Sequence, residues 1–154
     1  MTKGPNLIEG RYYHSCGKVK DKDGNVIVVT AGGTQSQSME LLNTTQMLKW
    51  TKGTFLILKM FLEINQVHTY PFCNEGPMLP YYVRDASMIQ TQENKVVLVG
   101  GSVGHGTLNT IQELDINDFQ WREITLPIKT LRQDHLAFAA TKDQLKLFCG
   151  KLTK

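Results

Sequence analysis

Histidine and cysteine occur close together near the start of the sequence, in a pattern that could bind a metal ion. His14 and Cys16 are two residues apart, and on a β-strand this spacing points both side chains to the same face. A zinc site needs a third and usually a fourth ligand, and the neighbouring sequence offers none. We therefore expect these residues to be an ordinary strand pair at the margin of a sheet, and we predict no bound metal.

A glycine-rich segment at residues 100–106 is a second candidate for chemistry, because such loops can hold a phosphate group. A phosphate-binding loop leads into a helix, whereas the residues from Leu108 onward alternate in the manner of a strand. Nucleotide binding is therefore not expected. The tyrosine pairs at 12–13 and 81–82 could contact a ligand, although neighbouring strand residues usually divide between core and solvent. With no other catalytic constellation, we predict that the protein is not an enzyme and holds no cofactor.

Composition limits the classes of protein to which this chain can belong. Its 154 residues are enough for one ordinary domain, and 41% of them are hydrophobic, as in globular proteins. The net charge of +3 is small and the basic residues are scattered, so a nucleic-acid or anionic-membrane surface is not expected. Cys16, Cys73 and Cys149 are far apart without a CxxC motif, which predicts reduced thiols in a cytoplasmic protein. The N-terminus has no apolar signal segment, and the longest apolar run, residues 55–62, is too short to span a bilayer.

Strands must position these residues, and the clearest strands are apolar runs that end in two glycines. The runs are residues 26–33, which end in Gly32-Gly33, residues 95–101, which end in Gly100-Gly101, and a degraded copy at 145–150. β-branched apolar runs of this length indicate strands that are buried on both faces. A glycine pair allows a sharp turn that a Cβ atom would obstruct. A chain that repeats its central strand is expected to be a repeat protein.

The repeated runs divide the chain into units. We predict a first unit at residues 11–80, a complete second unit at 84–127, the first half of a third at 132–154, and the end of a preceding unit at 1–10. The strands predicted in the first unit are 12–20, 26–33 and 39–43, with turns at 21–25 and 44–48 and a fourth strand beginning at Trp50. Those predicted in the second unit are 86–92, 95–101, 109–116 and 121–126, with a turn at 93–94, and those in the third are 136–141 and 145–150.

The spacing between each tryptophan and the next unit predicts an insert in the first unit. Trp121 precedes Arg132 by 11 residues, whereas Trp50 precedes Arg84 by 34. The additional 23 residues lie at about 54–76. We hypothesise that they are not part of the evolved fold, as a retained intron or a gene-model error would explain. The alternative is a genuine long loop with a role in binding a partner.

Four marks recur in the units: an opening arginine, a strand that ends in two glycines, a third strand that contains glutamate, and a tryptophan. They are Arg11, Gly32, Gly33, Glu40 and Trp50 in the first unit, Arg84, Gly100, Gly101, Glu113 and Trp121 in the second, and Arg132 with Gly150 in the third. At a period of about 50 residues, this set resembles the kelch repeat. The second unit matches in full, and the resemblance covers the chain apart from the insert.

This resemblance implies an all-β fold, namely an incomplete kelch-type β-propeller of four-stranded antiparallel blades. A propeller usually has about four to eight blades, so the two and a half units in this chain cannot close a ring. Either the chain is a fragment of a longer protein, which we favour, or copies of it associate. Further kelch blades are therefore expected in the same or another chain, and the tryptophan is expected to fill the gap between adjacent blades.

The same resemblance implies a non-catalytic protein-interaction module. Kelch propellers bind protein or peptide ligands on the loops that follow the doublets and on the residues that open the first strands. Carried onto this sequence, those residues are Thr34, Gln35, Ser36, Gln37, Ser102, His105, Tyr12, Asp85 and Gln133. Many kelch proteins are the substrate-recognition part of cullin-type ubiquitin-ligase adaptors, and others bind actin. Some kelch-like propellers are copper-dependent oxidases, for which the histidines available here are His14, His68, His105 and His135.

Overall fold

Twelve β-strands and no helix occur in the residues that the computed structural model describes, which are 6–50, 73–125 and 129–140. The strands are β1 (Arg11–Tyr12), β2 (Ser15–Lys20), β3 (Val26–Ala31), β4 (Thr34–Gln35), β5 (Thr45–Trp50), β6 (Cys73–Glu75), β7 (Ser87–Gln92), β8 (Lys95–Val99), β9 (Ser102–Val103), β10 (Gly106–Thr107), β11 (Ile111–Asp115) and β12 (Gln120–Ile124). Every pairing between these strands is antiparallel. The prediction of an all-β chain is therefore confirmed.

Most of the strands belong to two four-stranded sheets. The first sheet has the order β2-β3-β5-β6, and the second has the order β7-β8-β11-β12. The apolar strand before each glycine doublet is an inner strand of its sheet. Val96, Val97 and Leu98 of β8 are all buried, so this strand is covered on both faces, as its unbroken apolar run predicts. Two short pairs, β1 with β4 and β9 with β10, form separately.

Tight turns join the first two strands of each sheet. Asp21 Oδ1 accepts hydrogen bonds from the backbone N–H groups of Asp23 and Asn25, at 3.0 and 2.8 Å, and Gly24 has a φ of 78°. In the second sheet the two strands are joined directly through residues 93–94. Both turns lie where the sequence predicts them. Residues such as Asp, Asn and Gly favour a turn by themselves, through hydrogen bonds to the nearby backbone or a positive φ, so a turn can be recognised from a few neighbouring residues.

The third strand of the first sheet differs from the prediction. It is β5, which covers Thr45–Trp50, where the sequence predicts a turn, and the predicted strand at 39–43 contains only an isolated bridge at Leu41. Met39 has a φ of 61°, which interrupts an extended backbone, and its N–H donates to the carbonyl oxygen of Gln35 in a local turn. Glu40 therefore lies in an exposed loop, and Trp50 ends the third strand instead of opening the fourth.

The fourth strand of the first sheet, β6, comes from the end of the predicted insert. Cys73 pairs with Leu48 in the first sheet as Trp121 pairs with Leu114 in the second. Cys73 is therefore the residue that corresponds to Trp121. The three residues of β6 belong to the first sheet, whereas residues 54–72 lie outside the described residues.

The remaining predicted strands agree with the structure to different degrees. In the second sheet, β7, β8, β11 and β12 match the four predicted strands, each shorter by one or a few residues. The predicted strand 12–20 is divided into β1 and β2, because Tyr13 has a φ of 56°. In the third unit, residues 136–140 form no strand, contrary to the prediction, and residues 145–150 lie outside the described part of the chain.

The two sheets pack face to face, and alternate residues of each strand line the interface. We call the faces that meet the front face of the first sheet and the back face of the second. The front face contributes Val19, Ile27, Val29, Ala31 and Met47, and the back face contributes Met88, Val96, Leu98, Leu114 and Trp121. Trp121 Nε1 donates a hydrogen bond across the interface to Thr45 Oγ1 at 3.0 Å.

The two faces that meet are not equivalent faces of the repeated sheet. The glycine doublets set the correspondence between the sheets, so Val29 corresponds to Val97, and Val28 corresponds to Val96. The first sheet turns the Val29 side towards the interface, whereas the second sheet turns the Val96 side towards it. The sheets are therefore stacked front to back, in one repeated direction, and not as a sandwich with two-fold symmetry.

Candidate functional site

The two glycine doublets have the same backbone geometry, which fixes the loops of the candidate surface. The φ angles are 63° and 95° at Gly32 and Gly33, and 62° and 96° at Gly100 and Gly101. These angles lie in the left-handed region, which side chains disfavour. A Cβ atom on Gly33 would also lie 2.6 Å from the carbonyl oxygen of Tyr12, so close backbone packing requires glycine as well.

Each doublet connects its own unit to the next one. The N–H of Gly33 donates to the carbonyl oxygen of Val83 at 2.7 Å, and the N–H of Gly101 donates to that of Arg132 at 2.8 Å. These equivalent bonds put Val83 and Arg132 in the same position of successive units. The loops after the doublets are thereby held against the residues that open the following unit.

The arginines that open the predicted units are not all in equivalent positions. Strand β1 pairs Tyr12 with Thr34, and the corresponding bridge in the second unit pairs Arg84 with Ser102. Arg84 therefore corresponds to Tyr12, one residue beyond the position of Arg11. The spacing of the arginines in the sequence does not reveal this shift, because the shift depends on which residue of a distant strand each one pairs with.

A ladder of hydrogen bonds links Tyr13, Asp85 and Asp134, which follow Tyr12, Arg84 and Gln133 in the sequence. Tyr13, Asp85 and Asp134 have φ values of 56°, 56° and 50°. The N–H of Asp85 donates to the carbonyl oxygen of Tyr13, and the N–H of Asp134 donates to that of Asp85, both at 3.0 Å. The three residues thus form a continuous row across three successive units, which the sequence pattern does not predict.

Charged and polar side chains gather along this row. Ser102 Oγ lies 3.3 Å from Asp85 Oδ2, and Arg84 Nε lies 3.4 Å from the same oxygen. The guanidinium of Arg84 is also 6.0 Å from the centre of the Tyr13 ring. Partial burial raises the pKa of Asp85, and the neighbouring carboxylate of Asp134 raises it further.

The predicted partner-binding residues lie at the doublet end of both sheets, but they differ in what they expose. Thr34 and Ser102 are buried anchors of their loops. Gln37 is exposed at the tip of the first loop, and His105 is exposed at the tip of the β9–β10 hairpin. Two of the remaining predicted residues lie in the short β1–β4 pair, where Tyr12 pairs with Thr34 and Gln35 pairs with Arg11. The N–H of Ser36 donates to the carbonyl oxygen of Gly10, and Asp85 contacts Ser102. Gln133 Oε1 accepts a hydrogen bond from Thr107 Oγ1 at 3.0 Å.

A shallow polar groove runs beside the first loop. Residues 35–37 form one wall, and residues 8–10 form the other. The groove contains amide, hydroxyl and carboxylate groups, which suit hydrogen bonding to a peptide backbone. The structure therefore brings the predicted loop residues together with a segment that precedes the first unit and that the sequence pattern does not assign to the surface.

Arg11 lies behind this surface and has a structural role. Its side chain is fully buried, and Nη1 donates to the carbonyl oxygens of Gly32 and Thr44, both at 3.0 Å. Nη2 donates to Thr44 Oγ1 at 2.9 Å and lies 3.3 Å from Glu9 Oε2. Burial lowers the pKa of Arg11, and the Glu9 carboxylate opposes that effect. Arg11 therefore fastens the end of β3 to the start of β5.

The His14 and Cys16 pair does not form one face of a strand, because His14 precedes the first residue of β2. Burial and the charge of Arg11 lower the pKa of His14, and partial desolvation raises the pKa of the Cys16 thiol. A thiol with a raised pKa is a poor nucleophile at neutral pH. Among the described residues, no group of three or more His, Cys, Asp or Glu side chains is arranged to hold a metal ion.

No protein-family model matches this chain, and no curated protein is significantly similar to it. Within the described ranges there is no helix of the length and apolar character that crossing a membrane requires. The doublet loops and the residues that open each unit are therefore the part of the structure that points to a function.

Proposed function

We propose that this chain is part of a kelch-type β-propeller and serves as a non-catalytic protein-interaction module. The proposal is supported by the repeated four-stranded antiparallel sheets and by their front-to-back stacking, which is the arrangement that successive blades require. It is also supported by the equivalent hydrogen bonds from Gly33 and Gly101 to the following units.

The observation that carries the proposal is the common location of the loops that follow both doublets. The exposed residues Gln37 and His105 are on the same end as the ladder of Tyr13, Asp85 and Asp134. Loops that are fixed at their bases by glycine and buried anchors, with polar tips, are suited to recognising a protein or peptide. The substrate-recognition role in a cullin-type ubiquitin-ligase adaptor, or actin binding, would be particular cases of this function.

A proximity-labelling comparison tests the proposal with the full chain. The triple variant Gln35→Ala, Ser36→Ala, Gln37→Ala changes the first loop, and His105→Ala changes the second. The matched control, Lys22→Ala with Asp23→Ala, changes the β2–β3 turn at the opposite end of the first sheet.

We expect both loop variants to lower labelling of the same proteins by about tenfold, the effect of losing about 1.4 kcal/mol of binding free energy. The turn variant is expected to retain the labelling of the unaltered chain. Equal labelling by the loop variants and the unaltered chain would contradict the proposed surface.

A further inference from the structure

A buried glutamine holds the backbone of the segment that precedes the first unit. The N–H of Ile8 donates to Gln46 Oε1 at 3.1 Å, and Gln46 Nε2 donates to the carbonyl oxygen of Glu9 at 3.5 Å. Gln46 is only 4% exposed, and a buried amide is costly unless its donor and its acceptor are both paired. The two bonds therefore determine where residues 8 and 9 lie against the first sheet.

The side chain of Glu9 is held at the same place. Thr44 Oγ1 donates to Glu9 Oε2 at 3.2 Å, and Arg11 Nη2 lies 3.3 Å from the same oxygen. We call Glu9, Arg11, Thr44 and Gln46 the clasp. It fastens the segment through both its backbone and a side chain.

The second sheet has the same two polar side chains without their partners. The register of the sheets puts Thr110 and Gln112 in the positions of Thr44 and Gln46. Gln112 is 1% exposed, and within the described residues neither of its amide atoms nor Thr110 Oγ1 has a hydrogen-bond partner. The two sheets therefore differ in the segment that these side chains meet, and not in the side chains themselves.

The sequences of the two preceding segments explain this difference. Because Tyr12 corresponds to Arg84, the positions of Ile8, Glu9 and Arg11 are taken in the second unit by Pro80, Tyr81 and Val83. Proline has no N–H to donate to Gln112, and valine cannot pair with Thr110. The hydroxyl of Tyr81 instead donates to the carboxylate of Glu123. The clasp is therefore a feature of the first unit and is not repeated in the second.

The clasp stands behind one wall of the polar groove. Residues 8–10 form that wall, and the loop at 35–37 forms the other. The N–H of Ser36 donates to the carbonyl oxygen of Gly10 at 3.2 Å and joins the two walls. Thr44 and Gln46 are not among the residues that line the groove, so they act on it only through residues 8–10. A wall that is fixed before binding removes the cost of ordering it when a partner arrives.

We propose that Gln46 and Thr44 are positioning residues of the interaction surface. They hold residues 8–10 as a preformed wall, so that the groove for a peptide segment of the partner is built at the first unit. This role rests on the proposed function and goes further, because it names the buried residues that make the groove ready to bind.

Identical substitutions at equivalent positions of the two sheets test this role in the full chain. Gln46→Leu removes both bonds to residues 8 and 9, whereas Gln112→Leu makes the same change where the described structure shows no partner. Thr44→Val and Thr110→Val are a second matched pair, which decides the question if Gln46→Leu does not fold. Amide exchange of Ile8, followed by NMR, and proximity labelling are measured for each variant.

We expect the Ile8 amide to exchange about tenfold faster in Gln46→Leu, because it loses its hydrogen bond. Labelling of partner proteins is expected to fall about three- to tenfold, the effect of having to order the wall on binding. Thr44→Val is expected to change both measurements in the same direction, and Gln112→Leu and Thr110→Val to leave both unchanged. Urea denaturation identifies the conditions in which every variant is folded, and under these conditions a purely structural role would leave the labelling unchanged.

Unchanged exchange of Ile8 in Gln46→Leu, or equal losses of labelling in Gln112→Leu, would overturn the inference. Faster exchange with full labelling would also overturn it, while the proposed function would still stand if the triple variant at 35–37 lowers labelling. Full labelling by that triple variant, by His105→Ala and by Gln46→Leu would instead contradict the proposed function and this role together.

Discussion

Single residues hold the two sheets together, and the hydrogen bond between Trp121 and Thr45 is the clearest example. Both side chains are buried, and the bond joins residues that are 76 positions apart in the sequence. Removing the Thr45 hydroxyl takes this acceptor away from the buried indole N–H, and an unsatisfied buried donor costs about 1–3 kcal/mol. Trp121 therefore fixes the relative position of the sheets as well as filling the space between them.

We predict that Thr45→Val, which keeps the shape of the side chain, lowers the free energy of unfolding by about 1–3 kcal/mol. Urea denaturation followed by tryptophan fluorescence measures this change. The double variant with Trp121→Phe, which removes donor and acceptor together, is expected to lose less than the sum of the two single variants. Strictly additive losses would show that the bond does not contribute.

Asp21 gives a second prediction at the residue scale. A hydrogen bond from Lys49, whose Nζ lies 2.7 Å from Asp21 Oδ2, and further bonds from Asn25 hold the pKa of Asp21 well below its ordinary value. A carboxyl group with a lowered folded pKa stabilises the fold above the unfolded pKa of about 3.9, and this stability is lost as the pH falls through the folded pKa.

We therefore expect the free energy of unfolding to decrease below about pH 4, and Asp21→Asn to make that decrease less steep. Chemical denaturation at a series of pH values between neutral and strongly acid conditions measures the two slopes. Asp23→Asn, in the same turn and exposed, is the matched control and is expected to leave the slope unchanged. Identical slopes for Asp21→Asn and the unaltered chain would disprove the assignment.

Among the elements of the fold, the doublet loops depend on glycine for two separate reasons. Gly101 has a φ of 96°, and a Cβ atom there would lie 2.6 Å from the carbonyl oxygen of Arg84. Gly104, in the next turn, has a φ of 55° but open space around the position of a Cβ. Comparison of the two glycines separates backbone strain from steric overlap.

We predict that Gly104→Ala costs about 1 kcal/mol of unfolding free energy, the penalty of a left-handed conformation for alanine. Gly101→Ala adds an overlap with backbone atoms and is expected to cost about 3 kcal/mol or more. Thermal and urea unfolding of both variants measure the difference. Equal costs would mean that the loop relaxes freely and that Gly101 is not packed tightly against the backbone of Arg84.

Much of the second sheet could be predicted from the sequence, because its signals are local. The apolar run of β8, the doublet at Gly100 and the short turn at 93–94 each depend on a few neighbouring residues. The first sheet was predicted less well because its fourth strand follows a long interval and has Cys73 where the second sheet has Trp121. Aligning Trp50 with Trp121 then displaced the predicted third strand by several residues.

The candidate surface shows the same division between local and distant information. The loops at Thr34 and Ser102 follow from the doublets, so their residues could be named from the sequence. The ladder through Tyr13 and Asp85 depends on hydrogen bonds between residues that are about 70 positions apart, and no spacing rule reveals it. The buried partners of Arg11 likewise depend on the register between β3 and β5.

For the whole molecule, front-to-back stacking is the property from which the other large-scale features follow. A sandwich with two-fold symmetry would turn equivalent faces towards each other, whereas stacking in one direction turns the front of the first sheet to the back of the second. Val28 lies on the back of the first sheet, which faces away from the second. This geometry supports the proposed propeller.

A double-mutant cycle across the interface tests this stacking. A Cβ atom on Gly17 would lie 2.7 Å from Met88 Sδ, so Gly17→Ala forces Met88 to move, whereas Met88→Ala removes the obstruction. Urea denaturation measures the unfolding free energy of the single and double variants, and we expect a coupling energy of about 0.5–3 kcal/mol, with the double variant more stable than additivity predicts. Ile89, the next residue of β7, points to the opposite face, and a cycle of Gly17→Ala with Ile89→Ala is therefore expected to be additive. Coupling of Gly17 to Ile89 instead of Met88 would show that the opposite face of the second sheet packs on the first.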